Sequence, residues 1–366
     1  MKACVATCFE SNEERVGFVA DTLRRKGYDV LIITSDFSHM KKIARNNVPA
    51  SYFAIHTLAY KKNLSLARIF SHMRFAKDAF EKIEAEDPDL IWLMAPANSL
   101  IREADRFRQK NKKAKLIIDI IDMWPESLPV RFSKDYFPLN LWRKVRKDHI
   151  SCADTLVCEC DLYRKILEKE YHGKITTIHW VKDREAIIKK ADLKDDALSL
   201  VYIGSINNII DAERIAKVIA QIEMPVVLHV IGEGENTENF LRLTKQVCEV
   251  IYHGPIRDEE TKSEIFSKCH AGINIYKEGL YIGLTVKCID YFSHDLPIIN
   301  NIKGDTWDLV KAYDAGINLE SDGTLDAERL IELRKDPERI EKLYRDHFTK
   351  EVFSKKCEEV IDEVMR

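Results

Sequence analysis

The chain has 366 residues, a net charge of −3, 45% hydrophobic and 32% charged residues. This balance excludes a disordered chain and gives no overall attraction for nucleic acid. The length exceeds one ordinary core, which predicts about two domains, and no apolar run approaches the ~20 residues of a membrane span.

Apolar runs and amphipathic stretches alternate along the chain. Met1-Lys2-Ala3-Cys4-Val5-Ala6-Thr7 turns polar too soon for a signal peptide and reads as a buried strand at 3–7. A helix at 15–26 follows, with Val16, Val19, Ala20 and Leu23 on one face and Gly27 ending it. Next come a strand at 30–34 and a long helix at 66–86, striped by Ile69, Met73, Ala76, Phe80 and Ile83. Strands at 90–94, 116–121, 155–158 and 175–178 then alternate with helices at 100–111, 139–152 and 161–170. Such alternation predicts a parallel, doubly wound sheet.

The charged stretch 182–196 predicts a hinge, and a second series follows it. Strands are predicted at 198–203, 226–231, 250–253, 271–275 and 298–300, with helices at 211–222, 237–247, 261–268 and 286–293. The tail reads as helices at 327–335, 337–347 and 350–365. The expected class is α/β, two Rossmann-like doubly wound domains with an interdomain cleft, where ligands meet the carboxyl ends of strands.

The nine cysteines are scattered, Cys158 and Cys160 being the closest pair, without CxxC spacing. That pattern points to reduced thiols in a cytoplasmic protein, with neither structural zinc nor a disulfide framework. Asp-rich clusters that would suggest a metal are absent, and no GxGxxG after the first strand suggests NAD.

The most informative segment runs from Gly283 and Leu284 through Thr285, Val286 and Lys287 to Asp290, and closes at Pro297. A small hydroxyl residue precedes a helix, a lysine sits in its first turn, and an acid follows three residues later on the same face. A helix N-terminus suits phosphate, Lys287 adds a full charge, and Asp290 can accept hydrogen bonds from ribose hydroxyls. The arrangement would hold a nucleotide diphosphate-sugar; otherwise Lys287 and Asp290 are an ordinary surface pair. Glycine turns end three strands, at Gly204-Ser205, Gly232-Glu233-Gly234 and His253-Gly254-Pro255-Ile256. Each alone is what a tight turn needs, but three in series with the Lys287 helix describe a ligand-facing edge.

Two further places carry candidate chemistry. The predicted strand ending near Ile121 delivers Asp119 and Asp122 before Trp124-Pro125-Glu126. Asp122 would orient or deprotonate an acceptor hydroxyl, or stabilise an oxocarbenium-like transition state, with Asp119 fixing it. Alternatively Asp122 caps a turn over Trp124. The stretch 60–77 is basic and aromatic, with Lys61, Lys62, Arg68 and Arg74. It reads as a face for an anionic membrane surface or a lipid-linked pyrophosphate, or as a solvated helix face. A second basic run, Arg102, Arg106, Arg108, Lys110, Lys112 and Lys113, reads as solvent exposed. His229 and His253 read as satisfied strand histidines, with His253-Gly254 near a bound base.

The order of these motifs carries a family resemblance. Tyr202-Ile203-Gly204-Ser205, then Val230-Ile231-Gly232-Glu233-Gly234, then Tyr252-His253-Gly254-Pro255-Ile256, then Gly272-Ile273-Asn274-Ile275-Tyr276-Lys277, then 283–300 resembles the donor domain of GT-B glycosyltransferases. The chain looks most like the family 4-like retaining sugar transferases that build bacterial capsular and other surface polysaccharides. Ser35-Asp36-Phe37-Ser38-His39, Lys62-Asn63-Leu64-Ser65, Pro88-Asp89-Leu90-Ile91 and Ile118 to Ser127 extend the likeness over the first domain.

The resemblance implies an acceptor domain at 1–182, a donor domain at 183–344 and a tail at 345–366 returning to the first. It implies transfer from a nucleotide diphosphate-sugar, a UDP-sugar first among them, to a saccharide or lipid-linked saccharide, without cofactor, metal or nucleic acid. The place implied is the cytoplasm, with peripheral attachment at the inner face of the membrane. Lys287, Thr285, Gly204 and Ser205 would hold the diphosphate, Asp290 the ribose, and His253, Gly254, Ile256 and Tyr276 the base, with Asn207 also in the donor set. Gly232, Glu233, Gly283, Leu284 and Val286 complete the donor set. Three departures stand out: no basic residue in 204–211, Ile282 and Asp290 where the family pairs two glutamates, and Cys8-Phe9-Glu10-Ser11-Asn12 in place of a glycine-rich loop. They keep open a non-catalytic partner subunit; an epimerase would need an acid where Ile282 stands.

Overall fold

The computed structural model describes residues 1–63, 65–127, 139–184, 193, 195–320 and 323–366. It divides into two units, Met1–His179 with Phe353–Arg366, and Trp180–Val352. Most of the predicted hinge, 185–192 and 194, lies outside the described residues, as does Leu64.

The first unit contains β1 (Lys2–Ala6), α1 (Glu13–Arg25), β2 (Asp29–Ser35), β3 (Phe37–Ser38), β4 (Ile43–Ala44), β5 (Tyr52–Ile55), α2 (Leu66–Glu86) and β6 (Leu90–Ala95). α3 (Asn98–Lys110), β7 (Lys115–Ile120), α4 (Leu139–His149), β8 (Thr155–Cys158), α5 (Asp161–Leu167) and β9 (Ile175–Thr177) follow. Seven strands form one sheet in the order β5-β2-β1-β6-β7-β8-β9, with every pairing parallel. Central β6 is buried at every position, as its unbroken apolar sequence requires of a strand covered on both faces. Helix α2 begins at Ser65, whose hydroxyl accepts from the Arg68 N–H at 3.2 Å.

Three strands here were absent from the expectation. β3 and β4 form a two-residue hairpin, and β5 is a half-exposed edge strand in which Phe53 is 42% exposed. β3 and β4 have two residues each and β5 four, too few to show a period.

A buried ion pair ties this unit together. Arg15 on α1 grips Asp119 on β7 with two parallel bonds, Nε to Oδ2 at 2.9 Å and Nη2 to Oδ1 at 3.0 Å, and both side chains are wholly buried. Its other donors reach the carbonyls of Ile178 (2.9 Å) and His179 (3.2 Å), and the Trp92 indole donates to Asp119 at 3.2 Å. Asp119 is thus a structural clamp, which corrects its expected place beside Asp122: the strand pleat points it at α1, away from the carboxyl edge.

The second unit contains β10 (Leu198–Ile203), α6 (Ala212–Ala220), β11 (Val226–Ile231), α7 (Thr237–Thr244), β12 (Glu249–Gly254), α8 (Glu259–Ser267) and β13 (Ala271–Asn274). α9 (Val286–Ser293), β14 (Ile298–Asn300), α10 (Asp305–Tyr313), β15 (Gly316–Asn318), α11 (Ala327–Lys335) and α12 (Glu338–His347) complete it, and α13 is Lys350–Met365. Its six strands are parallel in the order β12-β11-β10-β13-β14-β15. α10 and β15 were not expected; β15 is three residues long, below the length at which alternation can be read.

The second unit reaches further along the tail than expected. Phe348 stacks on Phe292 at 6.1 Å, and its carbonyl accepts the Lys182 N–H at 3.2 Å. Residues 345–352 therefore belong with the second unit. Only Phe353–Arg366 joins the first, where Phe353 meets Phe18 at 5.8 Å.

Removing Asp119 leaves a buried guanidinium without its anion. Asp119→Ala is expected to lower unfolding free energy by about 3–5 kcal/mol, seen as a lower urea midpoint. Asp122→Asn is expected to change it by about 1 kcal/mol or less. Equal losses would contradict the clamp.

Candidate active site

The strand order of the second unit reverses between β10 and β13, the switch point where open α/β sheets bind ligands. These two strands pair only at Leu200↔Ala271 and Val201↔Gly272, then part. Tyr291 of α9 fills the split. Its hydroxyl accepts from the Ile203 N–H at 3.0 Å and lies 3.2 Å from the Val201 carbonyl and 3.3 Å from that of Ile273. Gly272 is required beneath it, because a Cβ there would collide with the ring.

The glycine turns form the rim. The Gly204 N–H donates to Ile231 O at 3.0 Å, and the Gly232 N–H to Gly254 O at 2.8 Å, so each turn is laced to the next. Gly232 has φ 133°, and any Cβ there would strike the Gly204 carbonyl. Gly204, at φ 119°, leaves the space beside Lys287: a Cβ would lie 3.5 Å from the lysine Cε.

Thr285 caps α9, its hydroxyl accepting from the Cys288 N–H at 3.4 Å and donating to Asn274 Oδ1 at 3.0 Å. Asn274, Asn300 and Asn318 end three adjacent strands in register, joined by side-chain hydrogen bonds: Asn274 Nδ2 donates to Asn300 Oδ1 at 2.8 Å and Asn300 Nδ2 to Asn318 Oδ1 at 2.7 Å. The cap is therefore anchored to the sheet.

Lys287 lies one helical turn above Tyr291, on the same inward face. It is 8% exposed, and its ammonium sits 4.1 Å from the Tyr202 ring centroid and 4.8 Å from that of Tyr276. Nζ is buried without a hydrogen-bond partner among the described residues. Burial pulls its pKa down to about 7. A lone cation is thus held in the first turn of a helix, where the dipole disfavours it.

Several expected donor residues have other tasks. Tyr276 lies buried beneath the Lys287 ammonium, which corrects its place in a base pocket. His253 stacks on His229, centroids 5.3 Å apart and rings 7° from parallel, with Nε2 3.0 Å from His229 Nδ1. That ring nitrogen is used inside the unit, and burial holds both imidazoles below their ordinary pKa, His229 at about 4. Asp290 Oδ1 accepts from Lys262 (3.1 Å) and pairs with Lys182 (3.3 Å), not with Lys287. The sequence reading passed over both lysines; their separation of 28 and 108 positions from Asp290 leaves no periodic signal.

Gly283 and Leu284 are buried in the loop before α9, the Gly283 carbonyl accepting from Thr306 N–H and hydroxyl at 2.8 and 2.9 Å. Asn207 uses its side-chain oxygen on the Ile209 N–H at 3.2 Å. Ser205, Glu233 and Val286 are exposed at the rim, while Gly254 and Ile256 are half-buried.

At the carboxyl edge of the first sheet, Asp122 Oδ2 accepts from the Trp124 indole at 2.6 Å, and burial raises its pKa. Arg68, expected on a basic face, is instead buried against Trp124, its guanidinium carbon 4.0 Å from the ring centroid. Lys61 and Lys62 are exposed, as are Leu66 and Phe70; Arg74, also exposed, pairs with Asp78 at 2.8 Å. In the second basic run, Arg102 and Arg108 are largely covered by their bonds to Glu103 and Asp154, which corrects their expected exposure. Among the described residues no His, Cys, Asp or Glu cluster could hold a metal, and no helix is long and apolar enough to cross a membrane.

No protein-family model matches the chain, and no curated protein matches it by sequence. Solved structures match over its whole length. The apo lipopolysaccharide outer core galactosyltransferase WaaB is similar with TM-score 0.67 and 16% identity, over 99% of each chain. WaaG, a glycosyltransferase involved in lipopolysaccharide biosynthesis, gives 0.63 and 13%, over 100% of this chain and 99% of that one. HepE from Anabaena in complex with UDP gives 0.67 and 10%, over 99% of this chain and 100% of that one. The fold is GT-B. At these identities the likeness establishes the fold.

Because the folded pKa of Lys287 lies below the ordinary 10.5, the unfolded chain binds the extra proton between those values. Stability therefore rises with pH from about 7 to about 10.5, and the full penalty stands below 7. Lys287→Met is expected to raise the melting temperature of the ligand-free protein at pH 6, with a gain that shrinks toward pH 10. A loss at pH 6, or a gain independent of pH, would contradict this.

Proposed function

We propose that the chain is a glycosyltransferase moving a sugar from a nucleotide diphosphate-sugar, UDP-sugar first, to a saccharide acceptor in bacterial surface polysaccharide assembly. The observation that carries this is the unpartnered Lys287 ammonium, buried in the first turn of α9 at the switch point. A diphosphate supplies the anion that the site lacks. It would also meet the N–H groups of Val286 and Lys287, which precede the first helical bond.

The comparisons support the donor class. HepE has been solved with UDP and with UDP-glucose, and the E. coli trehalose-6-phosphate structure with UDP-2-fluoro glucose, at 9–10% identity. The WaaB and WaaG names support surface polysaccharide assembly. In this reading the charge developing on the leaving diphosphate is met by Lys287 and the helix dipole, without a metal. Asp122, its pKa raised by burial, would take the proton of the acceptor hydroxyl. Retention of configuration follows the resemblance. Asp290 would offer its carboxylate to the ribose while Lys182 and Lys262 hold it. A lipid-linked acceptor met at the inner face of the membrane is supported by exposed Leu66 and Phe70 beside Lys61 and Lys62.

The partner-subunit alternative gives Lys287 no task. A chain released from nucleotide binding would lose nothing by filling that position with an apolar side chain, and would gain stability.

Thermal unfolding with UDP, GDP and dTDP tests the reading. UDP at a hundredfold excess over its dissociation constant should stabilise the chain by about 2.7 kcal/mol. Lys287→Ala should abolish the shift while the protein stays folded. No shift with any nucleotide would sink the donor site and favour the partner subunit.

A further inference from the structure

The arrangement around Lys287 occurs a second time, in the first unit. Arg68 stands in the first turn of α2, three residues after the Ser65 cap, at the positive end of a long helix. It is 6% exposed. Nη1 donates to the Asn63 carbonyl at 2.9 Å and Nη2 lies 2.8 Å from His39 Nε2. Nε is buried without a hydrogen-bond partner among the described residues. The guanidinium rests 4.0 Å from the Trp124 ring centroid and 5.9 Å from those of Phe9 and Tyr60.

The neighbouring acids are already committed. Glu10 accepts from the Ser38 hydroxyl and the His39 and Met40 N–H groups at 2.7 to 2.9 Å. Asp122 accepts from the Trp124 indole. A second unpartnered polar atom lies beside the same indole: His72 stacks on Trp124 at 6.1 Å, and its Nε2 is buried with no partner among the described residues. Arg15 shows how this chain buries an arginine for stability, in a bidentate pair with Asp119. Among the described residues Arg68 pairs with no carboxylate.

We propose that Arg68 and His72 form a subsite for an anionic group, phosphate or carboxylate, carried by the acceptor saccharide. The Trp124 indole beside them also holds Asp122, so the anion places an acceptor hydroxyl near that carboxylate. The inference rests on the transferase reading, because it concerns that reaction's acceptor.

The test uses the full chain with glucose 6-phosphate, glucuronate and glucose at equal ionic strength, and UDP in parallel. Melting temperature and calorimetric affinity are read for wild type, Arg68→Gln, Arg68→Lys and His72→Gln. Either charged sugar should bind at least tenfold more tightly than glucose, and the tighter of the two identifies phosphate or carboxylate. Arg68→Gln should remove that preference, leave UDP binding unchanged, and hold or raise the ligand-free melting temperature; Arg68→Lys should keep part of the preference. Equal binding of charged and neutral sugars by wild type would overturn the subsite. So would a lower melting temperature in Arg68→Gln with the preference intact. Loss of UDP binding in wild type would count against the donor site instead, so the two failures are distinguishable.

Discussion

One turn of α9 separates Tyr291, whose hydroxyl closes the split between β10 and β13, from Lys287, which stands above it. The hydroxyl serves backbone groups of both strands. Shifting the helix along its axis would strand those groups in the core, so its position is fixed. Lys287 follows from that position. Its ammonium is carried into a pocket walled by Tyr202 and Tyr276, with Gly204 leaving the space beside it. Cation–π contacts return about 0.5–2 kcal/mol, less than the several kcal/mol lost on desolvating a charge. The helix holds the charged lysine in a state that an anion, or loss of its proton, relieves.

Four of the buried cations among the described residues fall into two kinds. Arg15 with Asp119, and Arg146 with Glu126 and Glu170, are matched by carboxylates with bonds of 2.8 to 3.1 Å. These hold the first unit together. Lys287 and Arg68, 8% and 6% exposed, stand in the first turn of a helix and rest on aromatic rings, with no carboxylate partner among the described residues. In both units the second kind sits at the carboxyl edge of the sheet, where doubly wound folds place their ligands. Sites that bind a charged ligand are preorganised at the expense of the empty protein.

Much of the architecture was legible because buried parallel strands and long amphipathic helices announce themselves. Leu90 to Ala95 has no polar residue, and 66–86 keeps its apolar stripe over nearly six turns, ~3.6 residues each. The Lys287 helix was legible from its cap, its lysine and the following Pro297. Short elements such as β5, β15 and α10 were not, being too brief or too mixed to show a period. Side-chain partners were the least legible. Asp119 and Asp122 look alike in sequence; Arg15, 104 positions away, makes the first a clamp. Arg68 reads as one charge on a basic face, and only the packing of Phe9, Tyr60 and Trp124 reveals that it is covered. His253 read as a satisfied strand histidine, but its partner, His229 on the adjacent strand, was not legible.

The protonation state of Lys287 tests the account most directly. Labelling lysine side chains with carbon-13 and following the Cε resonance of Lys287, assigned with Lys287→Arg, reports its charge with and without UDP. The account predicts that the free protein titrates near pH 7 and that UDP moves the midpoint upward by more than one unit, because the diphosphate stabilises the charged form. A resonance that titrates near 10 in the free protein and ignores UDP would contradict it.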